Sequence, residues 1–552
     1  MTSLYIYNST DDKHLTDVQV DYIYNLSTGT AYNNNSFCID DTERFNDLAL
    51  DLKGEYCNFI YSINNFFNKL GLFYQKKLSL YFIADVSGKR TERFDTYSMV
   101  IHVSYLRECI NKYDIEKIYI FGCDKNQIQS ILSLKKDLNI SIINSVDNDY
   151  TWLRWIASQL KFFLNTIFCI FIGKFFIKKK PNPKRVKRLF LTRYPLHLNN
   201  NLEEEKYGGM LEEGDFYLVG MVSDGIHQYL PVSKYFHHIS KISKKSHNYV
   251  FIDSYLSVIE CITNFIFSFL LLYKARKLFK ENYEFNSINI SGYIYQELMF
   301  SFLRIPRLFL YNKAIKEILD IYKIQEFFYY LHEYSFGRFF TYILDMYFPK
   351  IKKTGFQHGP ASRRKLLYSL AEGEADDGTS DYILRLPIPD RVLAEDELSV
   401  GIYKDSGYRN VNKMEKIFRL EYLNTIKRNN VDKNKILIAC GLHDGLFLLR
   451  SVYDEIIKHQ NNKYLVKLHP KANSDEIISW LEKSDIKNCE LVNEKIDKIL
   501  CYVGEVISSY SSVGLEAKYL GIPVKLVSIR GKINESPLLD INENNNPHLS
   551  FA

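Results

Sequence analysis

The chain is short of glycine, proline and paired cysteines. Its 552 residues include only 25 Gly and 13 Pro, which argues against a collagen-like or low-complexity architecture. The nine cysteines form no C-x-x-C pair, and their number is odd. This usage favours free thiols in a reducing compartment over a disulfide framework or a zinc site.

Several catalytic and targeting signatures are also missing. The sequence has no Walker A loop, no H-E-x-x-H motif and no G-x-S-x-G motif, so NTPase, zinc-protease and α/β-hydrolase functions lose support. The segment Met1–Thr16 is polar and has no apolar run, which predicts that no secretory signal is present. A net charge of only +6 on 552 residues does not indicate a nucleic-acid partner.

What is present indicates an α/β protein. Hydrophobic residues make up 46% and charged residues 25% of the chain, which is ordinary globular composition. Apolar runs of strand length alternate with helical patterns, as in parallel sheets with crossover helices. Early strands are expected at Leu78–Ala84, Lys117–Gly122 and Ile140–Asn144. Two further series, beginning near Arg188 and Lys435, predict two Rossmann-like domains after an N-terminal α/β region.

Five regions follow from this pattern. They are an N-terminal α/β region (1–150), an apolar and basic segment (151–190), a Rossmann-like domain with an apolar helical insertion at 256–273 (191–430), a second Rossmann-like domain (431–530) and a polar tail (531–552). The tail is rich in Asn, and we expect it to be irregular.

Two apolar stretches indicate contact with a membrane surface. Phe162–Ile177 is about 16 residues long, against the ~20 that a spanning helix needs, and a basic run follows it. Together with the apolar stretch Leu256–Tyr273, this pattern suits the anionic inner leaflet of the plasma membrane. Two buried core helices beside a solvated loop, or a true span, are the alternatives. The expected membrane-contact residues are Lys178, Lys179, Lys180, Lys184 and Arg185.

A cluster of hydroxyls marks the first candidate site. A predicted strand ends in Ser508 and Ser509, and a helix is expected to begin at Ser511 or Ser512 and to stop at Gly521. A helix N-terminus offers free backbone N–H groups to a phosphate. Glu516, one turn along the same face, has a carboxylate able to accept hydrogen bonds from a ribose diol. The alternative is an ordinary capped helix with a solvated carboxylate.

A histidine marks the second candidate site. The predicted strand Tyr464–Leu468 stops at His469, because the proline that follows is not compatible with a central strand. His469 therefore lies at the carboxyl end of a parallel strand, where open α/β sheets bind ligands. Its imidazole could hold a leaving phosphate, and Lys471 could add positive charge. A purely structural histidine is the alternative.

Together the two segments resemble a known family. A His-Pro pair followed about 40 residues later by a Ser-Ser pair is similar to the HP and SS motifs of bacterial GT-B glycosyltransferases such as the polysialyltransferases and capsule Kdo transferases. The resemblance extends over about residues 325–530. It implies a GT-B-like fold with two Rossmann-like domains, the first on the acceptor side and the second binding a CMP-sugar. Carried over, His469 contacts the CMP phosphate, Ser511 and Ser512 bind that phosphate, Glu516 holds the ribose, and no metal is needed.

The acceptor-side domain offers candidate catalytic residues. The segment Gln357-His358-Gly359 is similar to an element of surface-carbohydrate transferases, which would place His358 between the two domains. Inverting transfer requires a base for the acceptor hydroxyl. Glu333, at a predicted strand end, is the preferred base, and Asp224 and His358 are the competitors.

The resemblance implies an inverting, metal-independent glycosyltransferase of bacterial surface-polysaccharide synthesis. The donor would be a CMP-activated acid sugar such as Kdo or sialic acid, and the acceptor a glycan or a lipid-linked glycan. The enzyme would be cytoplasmic and peripheral on the inner face of the plasma membrane. A CDP-glycerol or CDP-ribitol transferase, and a non-catalytic assembly protein at the membrane, are the alternatives.

Overall fold

The fold is known from a computed structural model. It describes residues 2–9, 19–27, 37–134, 138–146, 152–176, 186–193, 198, 204, 207, 210, 217–222, 236–237, 240–241, 249–357, 359–375, 381–415, 418–442, 444–469, 472, 475–484 and 486–543.

The N-terminal sheet has five parallel strands. In spatial order they are Phe37–Cys38, Tyr22–Asn25, Ser3–Tyr7, Lys117–Phe121 and Asn139–Ile142. The sheet therefore has the 3-2-1-4-5 order of a Rossmann fold. Two small pairs flank it: Phe73–Tyr74 with Leu78–Ser79, and Cys123–Asp124 with Ser145–Val146. The helices of this region are Thr42–Asp51, Lys53–Ser62, Asn64–Lys69, Leu80–Ile83, Val86–Gly88, Thr96–Lys112 and Lys125–Ile131.

The middle sheet has seven parallel strands. In spatial order they are Tyr249–Phe251, Tyr217–Val222, Arg188–Arg193, Glu326–Tyr330, Lys352–Phe356, Arg391–Ala394 and Val411–Lys413. The connecting helices are Trp152–Phe176, Ile252–Tyr255, Val258–Ala275, Leu278–Lys280, Ser291–Phe309, Tyr311–Tyr322, Ser335–Tyr347, Leu366–Tyr368 and Glu397–Asp405, with a small hairpin of Glu284–Phe285 and Ile288–Asn289.

The C-terminal sheet again has the Rossmann order. Its five parallel strands are, in space, Cys489–Leu491, Lys463–Lys467, Asp432–Ala439, Val503–Ser508 and Val524–Leu526. The 3-10 helix Phe418–Thr425 precedes the sheet, and its helices are Gly445–Ser451, Tyr453–Lys458, Asp475–Lys483, Ile496–Leu500, Ser512–Tyr519 and Pro537–Glu543. Numbered along the chain, the strands of each sheet reverse their spatial order between the first strand and the fourth. In the C-terminal sheet these two strands are Asp432–Ala439 and Val503–Ser508.

The predicted α/β class is confirmed, but the prediction of one early strand is wrong. The apolar run expected as the strand Leu78–Ala84 forms a two-residue strand and then the buried 3-10 helix Leu80–Ile83. A short apolar run buried on all sides looks the same in either conformation. The central strand of this sheet is instead Ser3–Tyr7, whose tyrosines are buried.

The prediction that the tail is irregular is also wrong for the residues up to 543. Residues Pro537–Glu543 form a helix, and Asp540 in it is fully buried. The Asp540 carboxylate accepts a hydrogen bond from the Arg363 backbone N–H at 2.8 Å and pairs with the Arg364 guanidinium at 3.2 Å. A polar composition did not reveal these partners, because they come from the middle of the chain. Residues 544–552 lie outside the described part.

A buried carboxyl in the core should make stability depend on pH. Glu297, on helix Ser291–Phe309, is buried, and that burial raises its pKa to about 8; Thr96 donates to it. The folded state therefore keeps a proton that the unfolded state releases above about pH 4.3. Stability should fall as pH rises from there to about 8, by on the order of 1 kcal/mol per pH unit. Glu297→Gln should flatten this fall in unfolding curves measured between pH 5 and 9; an unchanged slope would contradict the assignment.

Candidate active site

The carboxyl edge of the C-terminal sheet gathers the two predicted motifs. Ala439 at the end of the first strand is paired with Ser508 on one side and with Lys467 on the other. Because the strands are parallel, the segments that follow all three strands emerge at one edge. His469 and the Ser509–Ser512 hydroxyls therefore lie at the same edge, separated by a single strand.

The predicted helix begins where the sequence indicated. It covers Ser512–Tyr519, and Ser511 is its N-cap, accepting a hydrogen bond from the Val513 backbone N–H at 3.4 Å. Such an N-terminus carries free N–H groups and a partial positive charge. The helix starts beside the point where the strand order reverses, which is the position where Rossmann-type sheets hold phosphates.

Glu516 is more enclosed than a solvated carboxylate. It is 6% exposed, and its two oxygens accept hydrogen bonds from Ser512 Oγ at 3.0 Å and from Tyr422 Oη at 2.5 Å. Tyr422 lies on the 3-10 helix that connects the middle and C-terminal sheets. The carboxylate thus joins the helix start to the connection between two sheets, and a ribose would compete with Tyr422 or Ser512 for it.

Asp444 joins the first and fourth strands across the point where the strand order reverses. It is buried, and its Oδ2 accepts a hydrogen bond from Ser509 Oγ. Its Oδ1 has no hydrogen-bond partner within the part of the chain that the structure describes. A Cβ on Gly441 would lie only 2.3 Å from that oxygen, so the glycine leaves the space that the carboxylate occupies. No local sequence pattern indicates the contact of Asp444 with Ser509, because the two residues lie 65 positions apart.

A cavity opens next to these groups. It has a volume of about 970 Å³, within the range of small-ligand sites. Its wall combines apolar groups with charged groups of both signs: Gly441, Leu442, Phe447, Arg450, Asp475, Glu476, Trp480 and Lys483 line it. The cavity lies between the segments that follow the strands Asp432–Ala439 and Lys463–Lys467. The second of these segments includes the half-buried His469, which does not itself line the cavity.

Glu333 follows the fourth strand of the middle sheet, as predicted, but it does not face solvent. It is 1% exposed. Its Oε1 accepts a hydrogen bond from Tyr403 Oη and lies 3.1 Å from His332 Nε2. Among the described residues, its Oε2 and His332 Nδ1 have no hydrogen-bond partner. A base that receives a proton from an acceptor is expected to reach the space between the domains, and the buried Glu333 does not.

A positive backbone φ at Leu331 and two closely packed glycines, Gly337 and Gly355, accompany the burial of His332 and Glu333. Leu331 has a φ of +59°, a strained conformation for a branched side chain. Gly337 lets the next helix approach this turn, since a Cβ there would lie 2.3 Å from the Leu331 carbonyl oxygen. Gly355 makes room for the imidazole, since its Cβ would lie 2.5 Å from His332 Cδ2. Such strain marks candidate functional sites.

The electrostatics of this cluster follow from its burial. Burial lowers the pKa of His332, although the negative charge of Glu333 opposes this shift. Burial and the charge of Glu333 both raise the pKa of Tyr403. The imidazole is therefore favoured in its neutral form, and the tyrosine keeps the proton that it donates to the carboxylate.

Gln357 has a structural role in the Gln-His-Gly element. It is buried, donates to the Gly359 carbonyl oxygen at 2.7 Å and accepts from the Glu395 backbone N–H at 2.8 Å. These bonds connect the ends of two neighbouring strands of the middle sheet. His358 itself lies outside the described residues, as does the competitor Asp224.

The sequence did not indicate the segment that connects all three sheets. Arg90, after the first 3-10 helices, places its guanidinium over the Tyr334 ring at 4.3 Å from the centroid, and Tyr334 Oη donates to Glu92 at 3.2 Å. Thr91 donates to Glu535, beyond the C-terminal sheet. No motif marks these residues, because their partners are far away in the sequence. Lys471, Lys178, Lys179, Lys180, Lys184 and Arg185 also lie outside the described residues.

Within the described part of the chain, no group of three or more His, Cys, Asp or Glu side chains is placed to hold a metal ion.

Comparisons with known proteins add solved structures of low similarity. No family model and no curated protein matches the chain. One similar solved structure is a UDP-GlcNAc 2-epimerase from Methanocaldococcus jannaschii in complex with UDP-GlcNAc and UDP, with 11% identity over 65% of this chain and 86% of that chain and a TM-score of 0.32. A second is Phytolacca americana UGT2 complexed with UDP-2-fluoro-glucose and pterostilbene, with 10% identity over 66% of this chain and 84% of that chain and a TM-score of 0.37. A third is the spinosyn rhamnosyltransferase SpnG, with 10% identity over 62% of this chain and 80% of that chain and a TM-score of 0.32. Similarity at this level carries no argument about this chain.

Proposed function

We propose that this chain is an inverting GT-B glycosyltransferase of bacterial surface-polysaccharide synthesis. It transfers a sugar from a CMP-activated acid sugar, such as Kdo or sialic acid, to a glycan or lipid-linked acceptor. The observation that carries the proposal is the shared edge of the C-terminal sheet, where His469 and the start of helix Ser512–Tyr519 both lie, separated by the strand Asp432–Ala439. The choice of a CMP-sugar comes from the paired motifs.

The donor side needs no bound metal in this proposal. As the acceptor oxygen attacks the anomeric carbon, the bond from that carbon to the phosphate oxygen breaks and negative charge develops on the leaving nucleotide. The N-terminal N–H groups of the helix, the hydroxyls of Ser511 and Ser512, and His469 stabilise that charge. We propose that Lys471 adds positive charge next to the same phosphate.

The acceptor side needs a base, and Glu333 is the proposed one. Tyr403 donates to Oε1, so Oε2, to which no described residue donates, is the oxygen available to take the hydroxyl proton. Since the side chain is buried, the side chains that enclose it must move before an acceptor can reach it. His358 is the proposed second group on this side.

A ligand panel tests the nucleotide. Thermal denaturation of the full chain should show a midpoint raised by CMP and CMP-sugars more than by CDP, UDP or GDP compounds, because binding to the folded state alone stabilises it. A larger shift with CDP-glycerol or CDP-ribitol would favour polyol-phosphate transfer. No shift with any nucleotide, together with no donor hydrolysis, would favour a non-catalytic assembly protein.

Two single variants test the phosphate site. His469→Ala and Ser512→Ala should each weaken nucleotide binding by about 10- to 100-fold in calorimetry, since a hydrogen bond to a charged group contributes about 1.5–3 kcal/mol. His459→Ala is the matched control. His459 is exposed and precedes the strand Lys463–Lys467, whereas His469 follows it, so His459 lies at the opposite, amino-terminal edge of the sheet. Equal affinity in all three variants would remove the site from this edge.

A further inference from the structure

Two neighbouring helices expose an unusual amount of apolar surface. Trp152–Phe176 and Val258–Ala275 are long and apolar enough to cross a membrane by length and composition. More than half of the exposed large hydrophobic side chains in the described residues lie on these two helices. Isolated exposed apolar side chains are normal, whereas a large contiguous patch marks a binding surface.

Most exposed apolar residues of each helix form one stripe. On the first helix they recur at every third or fourth position: Leu153, Ile156, Leu160, Leu164, Phe168, Phe171 and Phe175. On the second the stripe contains Ile259, Ile262, Ile266, Leu270 and Tyr273, whereas Trp152 on the first helix and Phe267 and Phe269 on the second are exposed outside these series. This is the repeat of one helix face, and Leu153, Phe175 and Ile259 are more than 70% exposed.

The two stripes belong to one surface. The Trp155 and Phe269 rings are 5.5 Å apart, and the Phe163 and Phe265 rings 5.6 Å, so the helices run antiparallel side by side. Phe269 is still 37% exposed at this seam, so the apolar surface continues from one helix to the other. We call this surface the apolar face.

The opposite side of the first helix is fixed to the protein. Trp155 is fully buried. Gln159 donates to the Leu303 carbonyl oxygen at 3.0 Å and accepts from Arg307 Nε at 3.1 Å, and Arg307 also donates to Ser158 Oγ at 3.1 Å. A helix that left this position to cross a bilayer would strip these buried polar groups of their partners, which costs several kcal/mol per group in hydrocarbon.

The borders of the apolar face are basic. The first helix carries Arg154, Lys161 and Lys174, all exposed, and no acidic residue. Exposed Arg276 and Lys277 follow the second helix, and the Arg276 guanidinium lies 3.9 Å from the centroid of the Tyr273 ring. A basic run, 178–188, continues from the first helix in the sequence. Positive charge around apolar and aromatic side chains complements an anionic headgroup region.

We propose that the apolar face inserts into one leaflet of an anionic phospholipid bilayer as a monotopic surface, parallel to the membrane plane. The apolar stripes enter the upper acyl region while the basic border contacts the headgroups. This inference deepens the membrane contact expected from the sequence, and it rests on the proposed function only for the lipid-linked acceptor that such a contact would serve. It uses residues remote from the nucleotide site, so either proposal can fail while the other stands.

Flotation with vesicles tests the surface. The full chain should float with phosphatidylcholine vesicles containing 30% phosphatidylglycerol, and less with pure phosphatidylcholine. The fourfold variant Leu164→Asp, Phe168→Asp, Ile266→Asp, Leu270→Asp should reduce the partition coefficient at least tenfold. The control Leu132→Asp, Ile457→Asp changes exposed apolar side chains elsewhere and should float as the parent does. Unchanged circular dichroism and nucleotide-induced thermal shift show that the variants fold.

Depth is measured with one new tryptophan. In Phe168→Trp, lipids brominated near the headgroup should quench the added fluorescence more than lipids brominated near the acyl ends. Stronger quenching by the deep label would overturn the monotopic geometry in favour of a span. Equal flotation of the fourfold variant, or a parent that does not float, would overturn the surface itself. A lipid-independent dimer lost in that variant would overturn the bilayer as its partner and assign the face to a second copy.

Discussion

Glu333→Gln should lower kcat by about 10²- to 10⁴-fold while leaving nucleotide affinity unchanged. The amide has the shape of the carboxylate and can still accept the Tyr403 hydrogen bond, but it is unable to take the acceptor proton. In the proposed arrangement the donor binds at a different sheet, so its dissociation constant should stay the same. Single-turnover transfer and calorimetry on the same preparations measure the two quantities.

Because Glu333 is buried, it could serve either as the base or only as a support of the fold, and Glu333→Gln distinguishes the two roles. A carboxylate that only supports the fold would tolerate the isosteric amide, and the Gln variant would then keep most of its activity. Tyr403→Phe is the companion variant, because it removes the donor to Oε1 and leaves the carboxylate in place. It should change the pH profile of transfer without abolishing it, since Glu333 remains. Full activity of Glu333→Gln would exclude Glu333 as the base.

Gly337→Ala should destabilise the protein by about 3 kcal/mol, at the upper end of the usual range for overpacking. Gly337 is the third residue of helix Ser335–Tyr347, and an added Cβ would lie 2.3 Å from the Leu331 carbonyl oxygen and 2.6 Å from His332 Cα. Both are main-chain atoms of the strained turn, so no side-chain rotation relieves the clash. Denaturant unfolding should show the loss, and the Glu333-dependent step should slow because the turn must shift.

A second helical glycine provides the control. Gly401 lies inside helix Glu397–Asp405, and nothing stands within 4 Å of its added Cβ. Gly401→Ala should therefore stabilise the chain by about 0.5–1 kcal/mol through helix propensity alone. If the two variants have equal stability, the Cβ position at 337 is not enclosed as the structure shows.

The C-terminal sheet was the part best predicted from sequence. Its signals are local: apolar runs, hydroxyl caps before a helix, and Gly521 after it all lie within a few residues of the element that they specify. The helix at Ser512 and the edge position of His469 follow directly from them. The contacts of Asp444 with Ser509 and of Glu516 with Tyr422 do not, because each joins residues more than 60 positions apart in the sequence.

Other features depend on packing that no short window contains. The strand position of Glu333 was predictable, but its burial depends on Gly337, Gly355 and Tyr403 from three other elements. The apolar helices were visible as runs, whereas the division of each into a buried and an exposed face depends on helix Ser291–Phe309 beneath them. Apolar periodicity marks a helix, but it does not say what covers each side.

The docking of the C-terminal segment has a consequence for biosynthesis. The Asn534 backbone N–H donates at 2.6 Å to Asn46 Oδ1, and 488 positions separate the two residues. At ribosomal speeds of ~5–20 residues per second, helix Thr42–Asp51 waits on the order of 25–100 s for this partner after it is synthesised. Translation must therefore pass Asn534 before this helix reaches its final packing, and chaperones have access to it throughout that interval.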